Sequence, residues 1–277
     1  MTRRRILSVS RRTDIPAFHL DWFHEGLAKG YCEPVNPVSQ KTFRVPTDPD
    51  AVAAFVFWSK NYGPFLQKQT AKILKERGQK FHLQFTINSP IPQLEPSLPP
   101  LAARLEQMAE LARCFGPERI SWRWDPICHW IDILGKRHHN LNDFMTIASA
   151  AAEAGITSCT TGFLDLYAKV NQKGQRRGIT FFDPGQSRKK AILERMAVRL
   201  RSMGMNLLLC CEPDMLALCN GDNIFPAQCV VQAADFPSLN LPKDKGQRAA
   251  CNCRLSTDIG SYRTQPCSHG CLYCYAQ

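Results

Sequence analysis

Short apolar runs alternate with amphipathic segments along most of the chain, and this alternation limits its fold more than any other sequence feature. The apolar runs predict strands at 6–10, 53–59, 81–87, 119–124, 157–165, 206–212 and 256–262. The amphipathic segments predict helices at 17–29, 65–77, 101–114 and 188–203, and one more that Asn142 caps and Gly155 ends. Periodicity is weak from 213 to 250, and RHHN at 137–140 is interpreted as a loop.

Repeated β-α units imply a parallel sheet, so we expect an α/β fold. A chain of 277 residues is long enough to bury one large core, and residues 1–277 are predicted to form a single domain. The number of strands favours a TIM-like (β/α) barrel, complete or partial. An open doubly wound sheet is the alternative, because periodicity does not show whether a sheet closes.

Composition and charge narrow the class of protein. No run reaches the roughly 18 apolar residues of a membrane helix, and MTRRRILSVSRR lacks the apolar core of a signal peptide. We therefore expect a soluble, cytoplasmic protein with no membrane partner. The net charge of +11 predicts an anionic partner, such as a nucleic acid, a phosphate or an acidic cofactor. The alternative is that the charge only keeps the protein in solution.

Polar residues follow nearly every predicted strand. The carboxyl ends of strands in a parallel barrel share one face, so these residues predict one pocket for a polar, charged ligand. The basic members, expected to bind carboxylate or phosphate groups, are Arg11, Arg12, Lys60 and Arg123, and the acidic members are Asp14, Asp125, Asp165, Glu212 and Asp258. The predicted catalytic residues are Arg123, Asp125, Asp14 and Lys60, and the predicted cofactor-binding residues are Arg11, Arg12, Asn61, Asp165, Glu212 and Tyr273.

Three cysteines, Cys267, Cys271 and Cys274, lie within the segment CSHGCLYC. With thirteen cysteines, an odd number, the chain favours metal binding over a disulfide scaffold. The spacing favours an iron–sulfur cluster, which accepts three thiolates and leaves one iron open. Zinc would need a fourth ligand, from His269, Cys251 or Cys253. Residues 251–277 are thus predicted to be a cysteine-rich, cluster-binding segment.

Four further cysteines are expected near the same face: Cys210, Cys229, Cys251 and Cys253. They could form a second iron–sulfur cluster or a zinc site, or one could be a fourth ligand of the first cluster. The alternative for Cys210 and Cys229 is a role as small buried apolar residues. The others are expected to pack or to lie free: Cys32, Cys114, Cys128, Cys159, Cys211 and Cys219.

The motif formed by Cys267, Cys271, Tyr273 and Cys274, with the strand predicted before it, resembles the signature of radical S-adenosylmethionine enzymes. The resemblance implies a [4Fe–4S] cluster at the top of an α/β barrel, S-adenosylmethionine on the open iron, and a 5′-deoxyadenosyl radical that abstracts hydrogen from the substrate. That family carries its motif early in the domain, so the order here is similar to a circular permutation of it.

A second resemblance covers the whole chain. SVSRRTDIPAF, FVFWSKN, LQFTIN, WRWDPI, FLDLY and STDIGSYRTQPCSHGCLYCYA together resemble the family called domain of unknown function 1848. The resemblance implies the same blocks in the same order and the same cysteine motif, and it implies no particular substrate.

Three functional hypotheses follow. The first is a radical S-adenosylmethionine-type enzyme that takes a small anionic or polar substrate and needs an electron donor. In it, Asp14, Asp125 and Asp165 would orient the ligand or bind a ribose. The second is a non-catalytic or electron-transfer iron–sulfur protein. The third is a nucleic-acid repair or modification factor, because CLYCY also resembles the cluster loop of spore photoproduct lyase.

Overall fold

The computed structural model is a mixed α/β fold and describes residues 4–230 and 240–276. The strands of these residues are β1 Arg5–Val9, β2 Tyr31–Cys32, β3 Val45–Pro46, β4 Val52–Ser59, β5 Lys80–Thr86, β6 Ile120–Ile127, β7 His129–Ile131, β8 Arg137–His139, β9 Ser158–Phe163, β10 Thr180–Phe181, β11 Asn206–Leu209, β12 Ile224–Pro226 and β13 Thr257–Asp258. The helices are α1 Ile15–Phe18, α2 Leu20–Lys29, α3 Gly63–Gln67, α4 Thr70–Glu76, α5 Leu101–Phe115, α6 Phe144–Glu153, α7 Ala168–Arg176, α8 Gln186–Arg201 and α9 Pro213–Leu218, with a 3-10 helix at Pro117–Arg119.

Eight parallel strands form the main sheet, in the order β12-β11-β9-β6-β5-β4-β1-β13. The order follows the chain from β1 to β12, and β13 is added on the far side of β1, where Leu7 pairs with Thr257 and Ser8 with Asp258. From β1 to β12 the order does not reverse; among the described strands, the step back to β13 beside β1 is the one reversal of the kind that a doubly wound sheet has at its switch point. Within the described residues β12 and β13 are the two edges and do not pair, so no complete barrel is formed.

Alternating residues along the strands face two different layers. On β4, Phe55 and Phe57 are fully buried in the large core shared with the helices. Ala54 and Val56, on the opposite face, pack instead with Val230 and Leu241. A segment after β12 therefore covers the inner face of the sheet, and the Gln84 side chain of β5 fixes it by donating to the Cys229 carbonyl at 2.9 Å.

The predicted strands of the main sheet are confirmed, with shorter limits near 157–165, 206–212 and 256–262. The predicted helix at 17–29 is divided at His19, and the one at 65–77 is divided at Gln69, whose φ of 51° is left-handed. Asn142 does not cap α6, because Asp143 immediately precedes that helix.

Two segments without clear periodicity contain regular structure. RHHN, interpreted as a loop, contributes β8 to a small sheet in the order β10-β7-β8. The weakly periodic 213–250 contains α9 and β12, and its residues 231–239 lie outside the described ones. Across the described residues, no helix is both long and apolar enough to cross a bilayer.

Candidate functional site

A cavity of about 600 Å³ opens at the carboxyl edge of the main sheet. Its wall combines the ends of β1, β4, β6, β9 and β11 with the segments 246–253 and 258–276. Of the residues predicted for the site, those on this wall are Arg11, Arg12, Asp14, Lys60, Arg123, Asp125, Asp165, Asp258, Tyr273 and the seven cysteines Cys210, Cys229, Cys251, Cys253, Cys267, Cys271 and Cys274. The cavity therefore brings together residues that lie more than 250 positions apart in sequence.

The C-terminal triad, Cys267, Cys271 and Cys274, curls along one side of this cavity. Gly270 has a φ of 68°, a left-handed conformation that favours glycine, and it turns the chain before Cys271. The loop is fastened by Leu272, whose N–H donates to the Leu94 carbonyl at 2.8 Å. Cys271 is buried, and Cys267 and Cys274 are half-buried.

Asp14 ties the triad loop to the first two strands of the sheet. Its Oδ2 accepts from the His269 ring at 2.8 Å and from the Lys60 N–H at 2.9 Å. Its Oδ1 accepts from the Ala17 N–H at 3.0 Å and caps α1. Asp14 therefore holds the scaffold of the loop. Both ring nitrogens of His269 are engaged, Nε2 with Asp14 and Nδ1 with the Ser97 carbonyl at 3.4 Å, so a zinc ligand at His269 would have to give up one of these contacts.

A buried polar network lies behind Cys271. The Lys60 ammonium donates to Glu95 Oε1 at 2.6 Å and to the Tyr273 hydroxyl at 2.9 Å. Tyr273 also donates to Glu95, and Asn88 donates to the Tyr273 hydroxyl at 3.2 Å. The network fixes the aromatic residue between the last two cysteines of the motif.

Arg104 of α5 adds a second cation to this network. It is fully buried, and none of its guanidinium nitrogens has a hydrogen-bond partner among the described residues. Burial lowers the pKa of Arg104, and Glu95, Tyr273 and Cys271 act in the opposite direction. Two buried cations, Lys60 and Arg104, thus share the Glu95 carboxylate, and the Arg104 guanidinium lies close enough to Cys271 for their charges to interact.

Five cysteines on the wall of the same cavity form a second group, a closed ring. The thiol of Cys210 contacts those of Cys211 and Cys229, and Cys251 contacts those of Cys211 and Cys253. A contact between Cys229 and Cys253 closes the ring. Hydrogen bonds from Cys210 and Cys253, and the Arg123 guanidinium, lower the pKa of Cys229 well below its usual value despite its burial. Cys229 therefore favours the thiolate, whereas the pKa values of Cys210 and Cys253 are raised by their hydrogen bonds to neighbouring thiols and by burial.

Three arginines surround the five-cysteine ring, each paired with a carboxylate. Arg123 donates from Nη1 to the Cys229 sulfur at 2.8 Å and from Nη2 to Asp125. Arg248 pairs with Asp165, and its charge also acts on Cys211. The third pair is Arg11 with Asp244, at 3.7 Å. Their guanidinium groups place positive charge beside the ring, as a bound group with anionic ligands requires.

The remaining predicted residues divide between structural and open positions. Asp258 accepts from the Ser8 and Ser10 hydroxyls and from the Arg11 N–H, at 2.5 to 2.8 Å, and so joins β13 to β1. Asn61 bonds Gly63 and Gln107, and Glu212 bonds the Phe163 N–H; neither is on the cavity wall. Arg12 is on the wall, and its guanidinium donates to the Gly260 carbonyl at 3.2 Å.

Sequence reasoning missed Glu95, Arg104 and Arg248 as members of the site, and Cys211 as a member of the five-cysteine ring. Glu95 lies in a proline-rich connection without periodicity, and Arg104 occupies an ordinary helix. Only Cys211 carried a signal, because it adjoins Cys210. Its φ of 59° is left-handed, a conformation that is uncommon outside glycine, and it turns the chain after Cys210.

The two cysteine groups differ in how they fit a metal group. The triad supplies three thiols on the cavity wall, the number that an iron–sulfur cluster with one open iron requires. The five-cysteine ring presents more thiols than the four that a tetrahedral zinc or a cluster requires. Within residues 4–230 and 240–276, no three His, Cys, Asp or Glu side chains are set to hold a metal ion. Binding at either group therefore needs side-chain rotation or a multi-atom cluster.

None of the curated proteins compared with the chain matches it. The sequence profile of the family described as domain of unknown function (DUF1848) matches residues 6–276, which include the whole main sheet except the first residue of β1, and both cysteine groups. The chain therefore belongs to the DUF1848 family.

Proposed function

We propose that the protein is an iron–sulfur enzyme of the radical S-adenosylmethionine type that acts on a small polar or charged substrate. The observation that carries this proposal is that the C-terminal triad and the five-cysteine ring line one cavity at the carboxyl edge of the sheet. The sequential strand order supports a partial (β/α) barrel, and the carboxyl edge of such a barrel is where its active site lies.

The triad would hold a [4Fe–4S] cluster through Cys267, Cys271 and Cys274, with one iron left open. The buried Arg104, whose guanidinium has no hydrogen-bond partner among the described residues, supports this assignment, because a buried cation without a partner costs several kcal/mol unless an anion neutralises it. When bound together with S-adenosylmethionine, such a cluster supplies one-electron cleavage of that cofactor and hydrogen abstraction from a substrate.

The residues of the chain would orient the ligands and exclude water. Arg11, Lys60, Arg123 and Arg248 are already paired with carboxylates. Arg12 differs, because its hydrogen bond goes to a neutral carbonyl. We therefore assign Arg12 as the group that binds a carboxylate or phosphate of the cofactor or substrate, and Trp58, Phe163 and Leu164 as the apolar part of the wall.

The five-cysteine ring would hold a second metal centre, either an iron–sulfur cluster or zinc. Four of its thiols would serve as ligands, with Arg11, Arg123 and Arg248 balancing their charge. Because this centre faces the same cavity as the triad, it lies where a substrate would bind. We therefore assign this second centre two roles. It would help to bind the substrate, and it would stabilise the segment that covers the inner face of the sheet.

The test is anaerobic reconstitution with iron and sulfide, followed by addition of S-adenosylmethionine to the reduced protein. We expect a brown protein, a change in its electron paramagnetic resonance spectrum on addition of the cofactor, and release of 5′-deoxyadenosine. Arg12→Met should weaken the spectral change, and Arg113→Met, at an exposed position on α5, should not.

Two results would contradict the proposal. A colourless protein that binds zinc alone would exclude the iron–sulfur assignment. The second result is a brown protein whose electron paramagnetic resonance spectrum does not change at saturating S-adenosylmethionine. If its cluster also has a fourth protein ligand, the electron-transfer hypothesis is favoured instead.

A further inference from the structure

We infer that helix α7 is the docking surface for a small acidic electron-carrier protein. The inference rests on the proposed function, since a cluster of that type must receive an electron from outside the chain. One electron leaves the reduced carrier, which becomes oxidised, and enters the cluster, which becomes reduced. No atom or proton is transferred, so the protein needs only a surface that brings a carrier close to the triad.

The triad approaches solvent beside α7. Cys271 is buried, but Cys274 is half-buried, and the Lys173 ammonium donates to its carbonyl at 3.0 Å. Val170 of α7 belongs to the same apolar cluster as Cys271 and Tyr273. A partner seated on α7 would therefore lie against the loop that holds the cluster, with no other described element required between them.

A basic stripe runs along α7 on the same side. It consists of Lys169, Lys173 and Arg176, which are spaced i, i+4 and i+7 and so share one helix face. Lys169 and Arg176 are exposed, and the helix sequence AKVNQKGQR contains no acidic residue. Because Lys173 of this stripe contacts Cys274, the positive face is directed along the cluster loop.

Exposed apolar side chains adjoin the basic stripe. Tyr167, just before α7, is 45% exposed, and Tyr275, just after Cys274, is 55% exposed. Their ring centroids are 6.0 Å apart, so they form one patch at the mouth of the cavity. A small apolar patch beside a charged stripe is suited to the small interfaces of transient redox complexes, in which charge directs the encounter.

The partner favoured by this surface is acidic and compact. A nucleic acid would need several phosphate contacts for strong binding, and the stripe offers three cations on a nine-residue helix. The same three charges are sufficient to steer a small acidic protein, because complementary charge raises association rates at low salt. We therefore expect a carrier such as an acidic two-iron ferredoxin or a small flavoprotein.

The experiment uses an acidic two-iron ferredoxin as the probe and the full-length protein. Binding of the oxidised ferredoxin is measured first, and stopped-flow reduction of the reconstituted protein by the reduced ferredoxin second. The variant is Lys169→Glu with Arg176→Glu, which leaves Lys173 in place to hold the loop. The control, Arg113→Glu with Arg199→Glu, changes the net charge equally at exposed last-turn positions of α5 and α8.

We expect the variant to lower both the affinity for ferredoxin and the rate of reduction at low salt by about tenfold, and the control to change them less than twofold. Reduction by dithionite should be equal in all three proteins. Added salt should weaken wild-type binding and remove most of the difference, because the Debye length shortens to about 8 Å at physiological ionic strength.

Equal loss in variant and control, or no loss in either, would overturn the docking surface. The docking surface would also be overturned if a single-stranded oligonucleotide bound more tightly than ferredoxin and its binding depended on the basic stripe. That result would identify α7 as a nucleic-acid binding surface. Failure of the proposed function is distinct from these results: wild-type protein would then form no reducible cluster, while the stripe-dependent binding of oxidised ferredoxin would still support the surface.

Discussion

Arg123 holds Cys229 through a hydrogen bond from Nη1 to the cysteine sulfur at 2.8 Å, across 106 positions of sequence. The other terminal nitrogen of the same guanidinium donates to Asp125. The rigid fork of an arginine thus spans a carboxylate and a sulfur at once. The carboxyl end of β6 in this way determines where one thiol of the five-cysteine ring lies.

Arg123→Lys should weaken metal binding at the five-cysteine ring by about tenfold or more, the scale expected for loss of a group that orients a ligand. A lysine has one ammonium on a flexible stem and cannot hold Asp125 and Cys229 together. The measurement is metal affinity in a Cys267→Ala, Cys271→Ala, Cys274→Ala background, where only the ring remains. Arg113→Lys, exposed on α5, is the control, and equal affinity in both variants would show that Arg123 does not position the ring.

The same triple alanine variant should lose the metal of the triad, about four irons, and keep the metal of the ring. We expect anaerobic iron, zinc and sulfide analysis to show this partial loss. Loss of all metal in the triple variant would mean that the ring does not bind a centre of its own.

Substitutions in the ring should lower the melting temperature of the metal-loaded protein, because metal binding and folding are coupled. Cys251→Ala and Cys253→Ala should each lower it, and Cys114→Ala, at an exposed cysteine outside both groups, should not. Cys211→Ala separates the ligands: an unchanged metal content would identify Cys210, Cys229, Cys251 and Cys253 as the four that bind. The melting temperatures with and without a chelator provide the comparison.

Glu95→Gln should destabilise the protein by about 3 kcal/mol or more, because it leaves the buried cations Lys60 and Arg104 without their carboxylate. Tyr273→Phe removes only a neutral hydroxyl from the network and should cost about 1 kcal/mol. Glu110→Gln, exposed on α5, should be close to neutral. Urea denaturation of the metal-free proteins measures all three, and equal effects of the two glutamate substitutions would contradict the charge argument.

His129 should make the native state less stable in mild acid. Burial lowers its pKa to about 4, with smaller contributions from His139 and Arg188. In the unfolded chain its pKa is near 6.5. Between pH 4 and pH 6.5, His129 is therefore protonated in the unfolded state and neutral in the native state, and protonation favours unfolding. The stability is fully present above pH 6.5 and falls as the pH drops towards 4. His129→Phe should reduce this dependence of the unfolding free energy on pH, and an unchanged slope would assign it to other groups.

The parallel sheet and most of the cavity wall follow from the sequence, because strand periodicity and polar strand ends are local signals. Arg123 and Asp125, which WRWDP predicts at a strand end, both line the cavity. The polar residues behind the triad could not be predicted in this way. Glu95 contacts Tyr273 across 178 positions, and no local sequence pattern indicates that these two residues are partners.

Short elements were missed for a related reason. Strands β8 and β10 have three and two residues, too few to display an alternating pattern. The five-cysteine ring likewise depends on how segments 210–211, 229 and 251–253 converge over the inner face of the sheet. Spacing along the chain could propose these cysteines as a group but could not reveal that Cys211 completes it.

The place of β13 beside β1 imposes an order on biosynthesis. Chains are made from the amino end, so Ser8 of β1 can pair with Asp258 of β13 only after about 250 further residues have been made. Asp258 lies between Cys253 and Cys267 in the chain, so the same late segment brings in the last two thiols of the five-cysteine ring, strand β13 and the C-terminal triad. Completion of this edge of the sheet and assembly of both cysteine groups therefore belong to one late step of folding.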